Sequence, residues 1–163
     1  MFFILTGGTI DSYYDTDKCT AIPFSDSIIE DYLEKTVQRN CQNDKFVQIC
    51  MKDSRDIDQN DREKICDLID NSSEKNFVIT HGTYTLFDTA VFIEKNIKRK
   101  DVVITLTGSL IPLSGFAPTD APFNLAYAIA NSELNHPGIY VSIKGKIYPA
   151  KESYHFTANQ NYY

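Results

Sequence analysis

Short apolar runs alternate along this 163-residue chain with stretches in which apolar residues recur at helical spacing. The runs are rich in β-branched residues, as is typical of parallel strands that are covered on both faces. They lie at residues 2–5, 46–51, 77–80, 102–107 and 139–143. Helical spacing predicts helices at residues 27–38, 60–70, 85–97 and 121–134, the last with Asp120 as its N-cap. This alternation predicts the α/β class, with a doubly wound, mainly parallel sheet and helices on both faces.

The length and net charge of the chain argue for one globular domain and against several classes of function. We predict a single domain over residues 1–163, long enough to bury its own core. The net charge of −6 argues against nucleic acid as a partner, because phosphate binding needs a basic face. No window approaches the ~20 apolar residues of a membrane span, and the N-terminus lacks the basic start of a secretory signal. We therefore expect a cytoplasmic protein with no membrane contact.

The four cysteines indicate no metal site. They are Cys19, Cys41, Cys50 and Cys66, and none of them forms a CxxC pair or lies near a histidine pattern. Such thiols are expected to stay reduced in the cytosol. We predict neither a metal nor a cofactor.

Two Gly-Thr turns follow apolar runs and carry the chemistry. Residues 6–9 are Thr-Gly-Gly-Thr, and residues 81–85 are His-Gly-Thr-Tyr-Thr. Parallel strands that end this way present the hydroxyl groups at the carboxyl edge of the sheet, where open α/β proteins bind ligands. Glycines there let backbone N–H groups approach a substrate oxygen. The pair suggests a threonine nucleophile and a second threonine that activates or positions it. The irregular stretches 6–26 and 108–119 are the candidate active-site loops.

Four segments in a fixed order resemble the bacterial L-asparaginase family, specifically its N-terminal domain. They are residues 6–12, 52–56, 78–85 and 103–125. They occur in the order found in the family, and the stretch from the first to the last spans most of the chain. Family members are usually longer and carry a second domain that helps to complete a neighbour's active site. The chain resembles a short, single-domain form. The resemblance implies hydrolysis of a side-chain amide through a threonine acyl-enzyme.

The resemblance also implies roles for individual residues. Thr9 would be the nucleophile on a mobile lid, and Tyr14, or alternatively Tyr13, would be the lid tyrosine beside it. Ser54 would hold the substrate α-carboxylate, and Thr83 would be the second threonine.

Backbone groups complete the implied site. The N–H groups near Gly8 and Gly82 would form the oxyanion hole. A plainer alternative for Thr9 is that it only stabilises its own turn.

Three positions depart from the family pattern. Tyr84 replaces the aspartate that binds the substrate ammonium, and Arg55 replaces a glutamine. His155 falls where the family has its catalytic lysine, and Lys151, four residues earlier, is the alternative if the backbone shifts. Tyr84 could equally be an aromatic in an inactive site, and His155 an ordinary surface histidine.

These departures change the charge that a ligand would meet. Without the aspartate, and with Arg55 beside Ser54, the site favours an anionic ligand that lacks an α-ammonium group. We predict an amidohydrolase for a small carboxamide, with altered or reduced activity on asparagine. The alternative is a non-catalytic protein that binds a dicarboxylate or amide, or a regulatory protein. A third possibility is the amide-hydrolysing partner of a larger amidotransferase. We expect a homodimer or a higher homo-oligomer.

Overall fold

The computed structural model describes residues 1–152, which form eight strands. They are β1 (Phe2–Gly7), β2 (Ser12–Asp15), β3 (Thr20–Pro23), β4 (Lys45–Lys52), β5 (Asn76–Thr80), β6 (Val103–Thr107), β7 (Gly138–Ile143) and β8 (Lys146–Pro149). Six of them form one sheet in the order β4-β1-β5-β6-β7-β8, and β2 and β3 form a separate hairpin. All neighbours in the large sheet are parallel except β7 and β8. The predicted α/β class is confirmed.

The four predicted helices are present, and the first is irregular. They are α1 (Ile29–Asp31), extended by a π-helical turn (Tyr32–Thr36), then α2 (Gln59–Asp70), α3 (Leu86–Asn96) and α4 (Ala121–Leu134). In the π-turn, the Val37 N–H donates to the Tyr32 carbonyl at 3.1 Å. Val37, at the end of this wider turn, is 52% exposed although the apolar residues before it, Ile29 and Leu33, are buried.

Helices cover both faces of the sheet and give two separate cores. On one face, Ile4, Ile79 and Leu106 pack with the buried residues of α2 and α3. On the other face, Phe3 and Val78 pack with the buried residues of α4 and of the irregular first helix. Because neighbouring residues of a strand point to opposite faces, β1 and β5 contribute to both cores, and their buried residues are apolar or small hydroxyl residues.

The register of the sheet brings the strand ends together at one edge. Leu5, Thr80, Thr107 and Ser142 lie side by side across β1, β5, β6 and β7. The chain segments that follow them therefore leave the sheet at the same carboxyl edge, where ligands bind in open α/β folds. The hairpin β2–β3 lies within the stretch predicted to be irregular. Its residues are exposed or half-buried apart from Ser12, so no apolar alternation marked it in the sequence.

Candidate active site

The two Gly-Thr turns are in direct backbone contact. A methyl group added to Gly8 would lie 2.3 Å from the Gly82 nitrogen, which leaves room only for hydrogen at this position. Gly8 also has φ +75°, a conformation that side chains rarely adopt. Its N–H donates to the Lys52 carbonyl at 2.9 Å, which ties the turn to the end of β4. The first turn thus lies against both neighbouring strand ends.

Thr9 lies at the start of a short 3-10 turn, and it is partly exposed. Ser12 fixes this turn, because its hydroxyl donates to the Gly8 carbonyl at 2.7 Å. Asp11 is fully buried, and its carboxylate accepts from the Ser27 hydroxyl and the Ile28 N–H. Burial raises the pKa of Asp11, and the two hydrogen bonds oppose that rise. The roles of Ser12 and Asp11 were not predicted, although both lie in the quoted motif.

Ser54 is buried beside the second turn. Its hydroxyl has no hydrogen-bond partner among the described residues, and it lies 2.8 Å from the position of a Cβ built on Gly82. The Thr85 hydroxyl donates to the Ser54 carbonyl at 2.7 Å, which joins this residue to the start of α3. An unpartnered buried hydroxyl next to two glycine turns can bind a polar ligand atom.

His81 and Thr83 flank Gly82 in the second turn, and they contact different parts of the chain. The Thr83 methyl is 3.5 Å from a Cβ built on Gly108, so the second turn also touches the loop after β6. The His81 ring is fully buried, with Nδ1 2.8 Å from the Gly82 carbonyl and Nε2 3.0 Å from the Thr89 hydroxyl. Burial lowers the pKa of His81 to about 4, so the ring is neutral at pH 7. His81 thus supports the turn from within the core.

The low pKa of His81 makes stability depend on pH. An unfolded chain protonates this histidine below its ordinary pKa of 6.5, while the folded chain resists protonation until about pH 4. The stabilisation is therefore complete above pH 6.5 and is lost as the pH falls, by about 3 kcal/mol in total. The positive charge of Arg62 adds to the lowering of the His81 pKa. Urea unfolding of the wild type and of His81→Asn should show the wild type losing about 3 kcal/mol more between pH 7 and pH 4.

Equal pH slopes for the two proteins would contradict this prediction. The comparison of slopes removes the contribution of the carboxylates, which are the same in both chains.

Arg55 is paired within the chain. Its Nε and Nη2 donate to the two carboxylate oxygens of Asp53 at 3.0 and 2.9 Å. Its guanidinium carbon lies 4.6 Å from the centre of the Tyr84 ring. This pairing uses two of the five N–H groups of the guanidinium, and the Asp53 carboxylate offsets its positive charge. The predicted anion site at Arg55 did not include this partner, and a ligand would meet a cation that is already paired.

Tyr84 lies on the protein surface, next to the Arg55 guanidinium. Its side chain is 63% exposed and covers the guanidinium rather than the interior. This side of the second turn thus ends in an aromatic ring and an ion pair.

The two candidate lid tyrosines point to different neighbours. On β2, Tyr13 packs with Phe24, and Tyr14 meets the ring of Phe116 edge-on at 6.1 Å. Phe116 lies in the loop that follows β6, so Tyr14 faces that candidate active-site loop. The Leu113 N–H also donates to the Ile10 carbonyl at 3.2 Å. These contacts favour Tyr14 as the lid residue.

Asp120 connects the same loop to α4. Its carboxylate accepts from the N–H groups of Leu110 and Ile111 and from the Asn124 side chain, not from the first turn of the helix. Asn124 in turn donates to the Gly108 carbonyl at 2.9 Å. Asp120 occupies the predicted N-cap position, but its side chain holds the loop instead.

Two residues, His155 and Lys151, were predicted to stand at the position of the family's lysine, and the structure describes only the second. His155 lies outside the described residues. Lys151 is exposed, and its ammonium lies 3.3 Å from the Glu94 carboxylate. Glu94 lies eight residues after the start of α3, so it is about 12 Å along the helix from the end that follows the second Gly-Thr turn. Lys151 therefore points along α3 rather than to the Gly-Thr turns.

Within residues 1–152, the four cysteines are free, and no three potential metal ligands come together. No helix in this part of the chain is long and apolar enough to cross a membrane.

Comparison with known proteins identifies the family. A family model described as the N-terminal part of asparaginase matches residues 1–161. The structure is similar to the thermostable L-asparaginase from Thermococcus kodakarensis, with a TM-score of 0.74 and 29% identity over 91% of this chain and 45% of that one. It is also similar to a "Probable Cytoplasmic L-asparaginase" from Campylobacter jejuni, with a TM-score of 0.73 and 30% identity over 92% and 47% of the two chains.

A sequence relative extends the same pattern. A "Probable L-asparaginase periplasmic" of Haemophilus influenzae is 28% identical over 91% of this chain and 44% of its own length. The chain thus spans less than half the length of each of these three proteins. Because the family model covers almost all of the sequence and the matched segments converge on one edge of the sheet, the chain belongs to the asparaginase family and corresponds to its N-terminal domain.

Proposed function

We propose that this chain is an amidohydrolase that cleaves a small carboxamide through Thr9. The observation that carries the proposal is the backbone contact between the turns of Gly8 and Gly82, with the unpartnered Ser54 hydroxyl beside it. Because the two turns touch, we infer that Thr9, Thr83 and the Ser54 hydroxyl lie close enough together to act on one substrate. The named relatives are L-asparaginases, and the proposal transfers their chemistry to this shorter chain.

The proposed reaction has two stages. The Thr9 hydroxyl oxygen attacks the amide carbon, its proton passes to the leaving nitrogen, and ammonia departs as the C–N bond breaks. Water then cleaves the ester and regenerates the threonine. The Gly8 N–H is already bound to the Lys52 carbonyl, so the backbone N–H groups that follow the two glycines, those of Thr9 and Thr83, stabilise the oxyanion in both stages. Tyr14 on the hairpin is the proposed lid residue, and the group that accepts the proton stays open between Tyr84 and His155.

The substrate we propose lacks an α-ammonium group. A substrate ammonium near Tyr84 would find no carboxylate there, because that of Asp53 is already paired with Arg55. Two charges a few ångströms apart near a surface interact by on the order of 4 kcal/mol. Even half of that energy is worth more than tenfold in affinity. Succinamate therefore fits the site better than asparagine.

Replacing Tyr84 tests this preference. Tyr84→Asp is expected to raise affinity for asparagine relative to succinamate about tenfold or more, because it restores a carboxylate for the ammonium. Tyr84→Phe, which keeps the ring and adds no charge, should leave the preference for succinamate within about twofold of the wild type. Calorimetric titration with each ligand measures both. An unchanged ratio in Tyr84→Asp would place the ammonium subsite elsewhere.

The second candidate function is ligand binding without turnover. The exposed Tyr84 and the internal pairing of Arg55 favour it, since both differ from what the resemblance leads one to expect of an active site. An ammonia-release assay with asparagine, glutamine and succinamate separates the candidates. Release that depends on Thr9 supports the hydrolase, and succinamate binding with no release supports the binder.

Assembly and compartment remain predictions. On α4, the side chains of Phe123, Tyr127 and Leu134 are exposed, and an uncovered apolar face of this kind is compatible with the homo-oligomer that we propose. Light scattering would measure the oligomeric state. We keep the cytoplasm as the proposed compartment.

A further inference from the structure

A buried row of hydrogen bonds runs from α2 to the second Gly-Thr turn. The Arg62 Nε lies 3.1 Å from the Thr89 hydroxyl oxygen, and the same oxygen lies 3.0 Å from His81 Nε2. His81 Nδ1 lies 2.8 Å from the Gly82 carbonyl oxygen. Thr89 and His81 are both fully buried, so water does not compete for these groups.

The chemistry of the groups fixes the direction of every bond. A guanidinium only donates, so Thr89 accepts from Arg62 and keeps its own proton for His81 Nε2. A carbonyl oxygen only accepts, so the ring must carry its proton on Nδ1 and donate it to Gly82. The row therefore holds His81 as a neutral ring in a single tautomer.

This tautomer controls the direction of the next peptide group. The C=O and N–H of a trans peptide are coplanar and point in opposite directions. Because the Gly82 carbonyl points at the buried ring, the N–H of Thr83 points away from it. Gly82 has no side chain, and an unsupported glycine peptide rotates easily. The bond from His81 is what opposes that rotation.

We propose that His81, held by Thr89 and Arg62, is a positioning residue that aims the Thr83 N–H at the substrate oxygen. The proposal rests on the amidohydrolase function, since it assigns this N–H to the developing oxyanion. His81 itself touches no substrate. Its effect is to keep one donor of the site in place before the substrate arrives.

The matched variants are Thr89→Val and Thr89→Ser. Valine has nearly the shape of threonine but cannot donate to Nε2, whereas serine keeps the hydroxyl group. With succinamate, Thr89→Val should lower kcat about tenfold or more with KM within about twofold, and Thr89→Ser should stay within about threefold of the wild type in both. A fall in kcat that is equal in both variants, or none in either, would overturn the proposal.

NMR tests the same proposal without turnover. Long-range ¹H–¹⁵N spectra should show the Nδ1–H tautomer of His81 in the wild type and in Thr89→Ser, and a mixture of tautomers in Thr89→Val. Succinate should shift the Thr83 amide resonance in the first two proteins but not in the third. An Nε2–H tautomer in the wild type, or equal Thr83 shifts in all three, would refute the positioning role. A wild type that binds succinate yet releases no ammonia from succinamate would instead refute the amidohydrolase function.

Discussion

Thr9→Ala should lower ammonia release from succinamate by on the order of a thousandfold or more, because it removes the proposed nucleophile and leaves only binding and oxyanion stabilisation. The structure predicts little cost in stability, since Thr9 is partly exposed and lies outside both cores. Steady-state assays with equal folded protein, checked by circular dichroism, measure the loss.

Thr16→Ala is the matched control. Thr16 is an exposed threonine in the turn between β2 and β3, on the same hairpin that follows Thr9. Its replacement should leave turnover within about twofold, as expected for surface positions that make no special contact. Turnover in Thr9→Ala equal to that of Thr16→Ala would remove Thr9 from the mechanism.

Gly8→Ala should lower the free energy of unfolding by about 4 kcal/mol or more. The added methyl would lie 2.3 Å from the Gly82 nitrogen and 2.5 Å from its Cα, and both are backbone atoms that cannot rotate away. The two turns would have to separate, which also displaces Thr9 from Thr83. Urea unfolding measures the first effect and ammonia release the second.

Gly115→Ala separates contact from backbone strain. Gly115 has φ +81°, close to the +75° of Gly8, but a methyl group there would meet nothing within 4 Å. We expect a cost of only about 1–2 kcal/mol, which is that of a positive φ alone. If both variants lose the same stability, the contact between the turns contributes nothing.

The sequence predicted five of the six strands of the large sheet, because burial leaves a strong pattern, and it missed β8, which has no buried residue. Strands such as β5 and β6 are covered on both faces, so nearly every residue in them is apolar or a small hydroxyl residue. The β2–β3 hairpin contacts the loop after β6 through Tyr14 and Phe116, and such distant contacts leave no periodicity. The π-turn after α1 was missed for a similar reason, because one extra residue per turn does not change the local composition.

The candidate site was predictable in its parts but not in its pairings. Glycine and hydroxyl residues at strand ends marked the turns of Gly8 and Gly82, and their contact follows from the parallel register. The pairing of Arg55 with Asp53 depends on a rotamer that composition does not specify. The burial of His81 beside Thr89 depends equally on how α3 packs, which one sequence does not reveal.

The place of β1 in the sheet has a consequence for the order of folding. This first strand is not at an edge: it lies between β4 and β5, and Phe2 pairs with Lys45 on one side and Phe77 on the other. Its contacts close loops of more than 40 residues, and loops of this length slow folding. Strand β1 can pair with β4 once residue 52 is available, but its partner on the other side is complete only at residue 80. The site should therefore be protected from hydrogen exchange as one unit with the centre of the sheet, while β8 opens independently.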